Sequence, residues 1–453
     1  MPAGPSPASR GEFSSRLGFV FAATGSAVGL GNIWGFPTNA ASNGGAAFLL
    51  VYLVLAFCLA YPALMAELII GRHSRSNIVS ALGSLPATSG GRRFGAAAGT
   101  VAVITSSAIL GFYALVAGWV LSHLGAESAR LAGWQTSASW LSQGSIARDL
   151  GCALVFSLLT VAVVSGGVKA GIERWSERIM PALVILLMVL IGYVLLQPGA
   201  SAGLRLYLVP DLSRALHPQL ILSALGQAFF SLSLGVGTML IYGSYLPRTV
   251  NLPTTGALVT LVDVAIAFLA GLLILPAMFV AQQQGVEIHR DGLLIAGPDL
   301  IFQVLPALFA AMGSAGSLLG LAFFALLTMA ALTSSISMLE VPTAWLAEST
   351  PLSRRGAAWL AGTVIFILTA AIVLWFDPLF GWVVRAATEV SEPLMGIVLC
   401  LFAGWAIHRD TLLAELRRGD WMVENTWFWK IWPPYVRFVC PLLIAAVFVN
   451  SLR

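Results

Sequence analysis

The chain has 453 residues, 58% of them hydrophobic and 10% charged, with a formal net charge of +4 and a mean hydropathy of +0.88. A soluble domain carries about 25% charged residues, so this composition excludes a water-soluble globular protein and points to a polytopic protein embedded in a lipid bilayer. The net charge carries no nucleic-acid signal, and no nucleic-acid partner is expected; in a membrane protein basic residues report loop topology instead.

Residues 1–12 form a polar tail without a cleavable signal pattern and read as cytoplasmic. Apolar runs of roughly 18–25 residues mark membrane spans. They fall near 17–40, 46–70, 96–124, 150–167, 179–197, 218–246, 255–282, 315–346, 357–376, 387–407 and 436–452, an all-α protein of about eleven spans. The first run is the most informative. It contains Gly25-Ser-Ala-Val-Gly-Leu-Gly-Asn-Ile-Trp-Gly-Phe-Pro37. Glycines, an amide and a proline weaken a helix and free backbone groups that lipid cannot satisfy. Such a break is tolerated where it faces a cavity or a bound solute, so the first span is expected to be interrupted and to bind something.

The connections holding Arg72, Arg75, Arg92 and Arg93, then Lys169, Arg174 and Arg178, then Arg354 and Arg355, then Arg409, Arg417 and Arg418, share a side with the N-terminus. The opposite loops are longer and poorer in arginine, so the N-terminus is expected in the cytoplasm. Span six repeats the pattern of span one: Phe230-Ser-Leu-Ser-Leu-Gly235-Val-Gly-Thr238 is polar and glycine-interrupted. Two interrupted segments five spans apart suggest inverted repeats, residues 13–200 and 201–410, followed by a loop and an eleventh helix over 411–453. In span seven Asp263 is the only acid between Leu252 and Val280. An intramembrane carboxylate is costly and marks a functional site by default. Thr333-Ser334-Ser335 in span eight has two readings, ligand hydroxyls or hydroxyls bonded back to their own helix. Cys58, Cys152, Cys400 and Cys440 lie in apolar runs and read as buried small hydrophobes.

These residues resemble the neurotransmitter:sodium symporter family, especially its bacterial amino-acid transporters. The likeness runs from Arg10 to the last span. It rests on Gly25–Pro37, Asn43-Gly-Gly-Ala-Ala-Phe48, Glu67-Leu-Ile-Ile-Gly-Arg72, Gly226-Gln-Ala-Phe-Phe-Ser-Leu-Ser-Leu-Gly235 and Leu332-Thr-Ser-Ser-Ile-Ser337, in that order. The resemblance implies two inverted five-helix repeats with a central site at the broken helices one and six. It also implies two sodium ions. The first would be held by the Ala27 carbonyl, Asn32, Ser231, Asp263 and the substrate carboxylate. The second would be held by the Gly25, Val28 and Ala330 carbonyls with the Thr333 and Ser334 hydroxyls; oxygen ligands suit a hard cation. Animal members carry Asn where this chain has Asp263 and Ser where it has Ala267, and use chloride to balance the sodium charge. Here Asp263 is expected to supply that charge, without chloride, and to take up a proton for the return step.

The resemblance further places the substrate carboxylate on the Gly31 N–H and the Tyr113 hydroxyl. It places the ammonium group on the carbonyls of Ala27, Phe230 and Ser231 and on the Ser233 hydroxyl. Monoamine transporters of the family have Asp where this chain has Gly29, so an α-amino acid is expected. Ile109, Tyr113, Phe230, Ser233, Val236, Ser334 and Met338 would line a pocket for its hydrophobic side chain. Val236 and the adaptable Met338 leave room for Leu, Met, Phe or Trp. Arg10 and Glu348 match an ion pair that closes the inner vestibule, with Phe13 as the plug. The outer gate departs from the family: Gly35 stands where an arginine is usual. Arg385 with Glu389 or Glu392 is the candidate replacement. The function expected is import of hydrophobic or aromatic amino acids across a bacterial inner membrane, by a monomer or weak homodimer. A non-transporting amino-acid sensor on the same fold is the alternative. No convergent His, Glu and Cys constellation supports an intramembrane enzyme.

Overall fold

The computed structural model describes residues 11–290, 293–295 and 297–452. Among these residues the chain is almost wholly helical, apart from a two-residue ladder that pairs His289–Arg290 with Leu293–Leu294. Nine continuous helices are long and apolar enough to cross a membrane. They are α3 (Ala46–Ser74), α4 (Ser89–Leu131), α5 (Ile146–Ser165), α6 (Val168–Leu195), α9 (Leu252–Gln283), α10 (Ala315–Ser349), α11 (Arg354–Leu374), α12 (Phe376–Ala406) and α13 (Trp427–Ser451). A bent pair, α1 (Arg16–Ala27) and α2 (Gly31–Ser42), makes a tenth crossing with a 55° bend. The expected span over 218–246 consists instead of α7 (Pro218–Ser231) and α8 (Thr238–Ser244), 14 and 7 residues long. Neither is long enough to cross alone.

Local chemistry sets these limits. Ser15 caps α1 by accepting the Gly18 N–H at 2.8 Å, Thr88 caps α4, Asn251 caps α9 and Ser353 caps α11. Each satisfies an amide that a helix start leaves free. The α1–α2 break centres on Val28, whose ψ of 92° leaves the helical region. The α7–α8 break carries left-handed residues, Ser233 (φ 51°), Gly235 (φ 84°) and Gly237 (φ 82°). Glycine is required at 235 on a second ground: a Cβ there would lie 2.2 Å from the Glu392 carbonyl oxygen. Buried Glu67 holds this unwound strand, accepting the Gly235 N–H at 2.7 Å and the Leu240 N–H at 3.2 Å.

Among the described residues seven helical stretches widen into π-helix: 31–35, 56–60, 168–173, 300–304, 385–391, 402–406 and 435–439. In five of the seven a proline follows two residues after the last, at Pro37, Pro62, Pro306, Pro393 and Pro441, whereas 168–173 and 402–406 have none there. Proline donates no hydrogen bond and crowds the carbonyl four residues back. A π turn relieves that clash without ending the helix.

The arginine-bearing connections gather on one face. There Arg72, fully buried, donates to Glu415 Oε1 at 2.8 Å, to the Glu415 carbonyl at 2.7 Å and to the Val250 carbonyl at 2.6 Å. It ties the end of α3 to the short helix Arg409–Arg417 and to the loop before α9. Cys400 and Cys440 are buried as expected, but Cys58 is exposed on the flank of the bundle and Cys152 is half-buried. Their apolar neighbours face the membrane side of α3 and α5, where a small thiol is equally at home, so an apolar run does not imply burial inside the bundle.

Candidate functional site

The two breaks lie side by side and enclose a cavity of about 170 Å³. The α1–α2 break contributes Ala27, Gly29, Gly31 and Asn32, and the α7–α8 break contributes Phe230, Ser231, Ser233 and Val236. Ile109 and Tyr113 of α4 and Ser334 and Met338 of α10 complete one wall. Thus all the residues expected to touch substrate border one space. Thr388 and Glu392 of α12 also line it. Neither is among the residues expected to touch substrate. The signal that could have found Glu392 is a second acid inside an apolar segment.

Beneath the cavity Asn32, Ser231 and Asp263 form a closed polar cluster. The Asn32 amide donates to Asp263 Oδ1 at 2.7 Å and to Ser231 Oγ at 3.0 Å, and Ser231 donates to Asp263 Oδ2 at 2.8 Å. Asn32 is wholly buried and Asp263 is 1% exposed. Three oxygen-bearing side chains from α2, α7 and α9 therefore converge where lipid and bulk water are absent. Asn32 Oδ1 turns back to the Gly29 N–H at 3.4 Å, and Ala27 borders the same cavity. One carboxylate with a hydroxyl and an amide is an oxygen-rich set of the kind that suits a hard cation. Ala267, one turn beyond Asp263, is fully buried and apolar.

A second oxygen-lined spot lies where α1 meets α10. Ser334 donates to the Gly25 carbonyl at 3.4 Å and the Ser26 carbonyl at 3.1 Å. Thr333 donates back to the Ala330 carbonyl at 3.0 Å. Thr333 thus bonds back to its own helix, whereas Ser334 reaches across to α1, beside the Val28 turn. Both readings of Thr333 and Ser334 are compatible, because donation uses the proton and coordination uses the oxygen.

Gly29 is fixed by packing. A Cβ at this position would sit 2.5 Å from Ser334 Oγ and 3.1 Å from the Tyr113 hydroxyl oxygen. A Cβ at Gly31 would meet nothing within 4 Å. The Leu30 N–H donates to the Tyr113 hydroxyl at 3.4 Å, which points Tyr113 at the opening turn of α2. Helix openings present free N–H groups and positive potential. Ser233 reaches across and donates to the Ser26 carbonyl at 3.2 Å, so the two breaks are bonded to one another.

On the arginine-rich face the path is closed. Phe13 is 2% exposed and packs edge-on against Phe19, Tyr242 and Tyr245. Its N–H donates to the Tyr245 carbonyl at 3.1 Å. Glu173 anchors the same strand by accepting the Ser14 N–H and hydroxyl. Tyr245 and Arg354 converge on Glu340 at 2.5 and 2.6 Å. Glu348 accepts the backbone and side-chain amides of Asn77, both at 2.9 Å. Arg10, the expected partner of Glu348, lies outside the described residues. On the other face Arg385 pairs with Glu389 at 3.3 Å, one turn apart, while Glu392 turns into the buried wall of the cavity.

The profile of the sodium:neurotransmitter symporter family matches residues 10–148 and 133–453. The chain belongs to this family. It is 36% identical to the uncharacterized sodium-dependent transporter YhdH of Bacillus subtilis, over 97% of each chain. It is 31% identical to a sodium-dependent transporter of Haemophilus influenzae over 98% of each. The crystal structure of MhsT in complex with L-phenylalanine superposes with a TM-score of 0.81 at 36% identity, covering 98% of this chain and 100% of that one. A more distant relative is the sodium- and chloride-dependent taurine transporter of the dog, 25% identical over 98% of this chain. The protein is therefore a multi-pass sodium symporter and not an enzyme.

Proposed function

We propose that this symporter carries L-α-amino acids with hydrophobic or aromatic side chains, together with two sodium ions and without chloride. The observation that carries the reading is the buried Asn32–Ser231–Asp263 cluster directly under the cavity. Two sodium ions and a zwitterion leave excess positive charge in a medium of low dielectric, and a fixed carboxylate offsets part of it. With Ala267 one turn on, an anion finds no hydroxyl there, so Asp263 fills the role chloride plays in animal relatives. Asp263 is then free to take a proton once sodium has left, which makes proton antiport part of the return step.

The substrate class follows from Gly29. Its missing Cβ leaves no room for the aspartate that monoamine carriers use, because Ser334 and Tyr113 already occupy that space. The carboxylate must come with the substrate. It would rest on the opening N–H groups of α2 and on the Tyr113 hydroxyl and complete the first sodium shell. The ammonium group would take the carbonyls of Ala27, Phe230 and Ser231 and the Ser233 hydroxyl. Gly25, Val28, Ala330, Thr333 and Ser334 would hold the second ion. Because the carboxylate is a ligand of the first sodium ion, each raises the affinity for the other by the same factor. That the ligand of MhsT is L-phenylalanine agrees with the apolar lining by Ile109, Phe230, Val236 and Met338.

Transport would proceed by alternating access. Residues 13–200 and 201–410 form the two inverted repeats, the tail over 1–12 lies in the cytoplasm of a bacterial cell, and Phe13 is the inner plug. Uptake of labelled Leu, Met, Phe, Tyr and Trp into proteoliposomes, driven by an inward sodium gradient, tests the reading. Glutamate and dopamine serve as controls. Accumulation of the apolar amino acids alone supports it. Sodium-dependent binding without accumulation would assign the protein as a sensor instead.

A further inference from the structure

A second cavity, of about 270 Å³, opens on the arginine-rich face between the end of α12, the short helix Arg409–Arg417 and the start of α13. Three cations line it, Arg409, Lys430 and Arg437. Among the described residues none of the three is ion-paired to an acid; the nearby Asp410 faces His408 at 3.7 Å. Each cation instead lies against an indole: Arg409 over Trp429, Lys430 over Trp427 and Arg437 over Trp405, at 5.5, 5.5 and 4.6 Å. Cation–π contact orients a charge without neutralising it.

Arg437 is the built-in member of the group. Its Nε donates to the Gly404 carbonyl at 2.7 Å, and the backbones meet so closely that a Cβ at Gly404 would lie 2.9 Å from Arg437 Cα. The π turns at 402–406 and 435–439 bring these two strands together and present both at the same level. The terminal guanidinium nitrogens are left for the cavity. On its flank Trp405, Phe438 and Leu401 are exposed in the spanning helices α12 and α13, on the surface that meets acyl chains. Tryptophans at the ends of spans sit at headgroup level.

We propose that this cavity binds the phosphodiester headgroup of an anionic phospholipid, with its chains along Trp405 and Phe438. A pocket with three unpaired cations and no acid selects phosphate oxygens, and basic pockets between spanning helices on the basic side of a membrane are suited to such headgroups. The lateral apolar flank selects a lipid over free phosphate. The bound lipid clamps α12, whose residues Thr388 and Glu392 border the transport cavity, to α13.

The test is native mass spectrometry of delipidated full-length protein titrated with phosphatidylglycerol, phosphatidylcholine or inorganic phosphate. The proposal expects saturable phosphatidylglycerol adducts that phosphatidylcholine does not match. It expects about fivefold weaker binding for each of Lys430→Gln and Arg409→Gln, both exposed positions. The charge-keeping Lys430→Arg retains the adduct, and Arg385→Gln on the opposite face leaves it unchanged. Equal retention of both lipids, or an unchanged adduct in the Lys430→Gln/Arg409→Gln pair, overturns the proposal. Displacement of phosphatidylglycerol by millimolar inorganic phosphate overturns the lipid assignment.

Discussion

Asn32 donates its side-chain amide to Asp263 at 2.7 Å, joining the second half of the broken first helix to α9 across 231 positions of sequence. Ser231 closes the triangle from α7. A carboxylate this deeply buried persists because each oxygen is bonded. The same geometry groups the Asp263 carboxylate and the Ser231 hydroxyl beside the cavity, with the Asn32 oxygen turned to the Gly29 N–H. Replacing the hydroxyl alone tests its share: Ser231→Ala is expected to weaken sodium roughly tenfold, about 1.4 kcal/mol, as for one lost charge-assisted contact. Sodium titration of labelled amino-acid binding reads this directly.

Gly29→Ala places a methyl 2.5 Å from Ser334 Oγ. Overpacking of this size costs about 1–3 kcal/mol. The expected outcome is a folded protein whose amino-acid affinity falls by an order of magnitude or more. Gly31→Ala, which meets no atom within 4 Å, is expected to keep its fold and to lose affinity only by intruding on the substrate carboxylate. Equal thermal stability of the two variants with unequal binding loss would contradict the steric account.

As the proposed inner plug, Phe13 is expected to contribute to the closed state alone. Phe13→Ala removes its contacts with Phe19, Tyr242 and Tyr245. Truncation of a buried Phe costs about 3–5 kcal/mol, enough to shift a two-state gate decisively. Faster hydrogen exchange over 19–27 and higher basal leak of substrate are expected, with the fold intact.

Glu415 supplies the pH dependence. Burial alone raises its carboxyl, but His73, Arg72 and Arg418 outweigh that effect and hold it down at about 2. The folded value lies below the ordinary 4.5. Its contribution to stability is therefore complete above about pH 4.5 and is lost as the pH falls towards 2. Glu415→Gln leaves Arg72 buried with only neutral acceptors, among them the Val250 and Glu415 carbonyls, and is expected to destabilise by about 3–5 kcal/mol at pH 7. The difference from wild type should shrink in acid. Thermal melts at pH 7 and 3 in detergent check both statements.

Much of this site is legible in the sequence because lipid is an unforgiving solvent. Glycines at 25, 29, 31 and 35 and an acid at 263 are costly in hydrocarbon unless a cavity or polar partners lie beside them; Gly29 and Gly31 line the cavity, and Asp263 is bonded to its lining residues Asn32 and Ser231. Other features were hidden for physical reasons. Thr388 and Glu392 reach the cavity only because α12 carries a π turn at 385–391, which shifts the face that a regular helix would present. A proline two residues on accompanies five of the seven π turns, but a proline in sequence does not by itself distinguish a helix break from a wider turn. The Arg72–Glu415 bond joins residues 343 positions apart and has no local signature. Cys58 shows the reverse limit: its apolar surroundings do not tell the bundle interior from the lipid face.

Asp263 is the proposed fixed counter-charge for sodium. The most direct measurement is sodium titration of L-phenylalanine binding to wild type and Asp263→Asn, in chloride and in gluconate. The account predicts one curve for wild type in both salts. For the variant it predicts a loss of at least about 30-fold in sodium affinity. A wild-type curve that needs chloride, or an Asp263→Asn curve that overlays wild type, would contradict it.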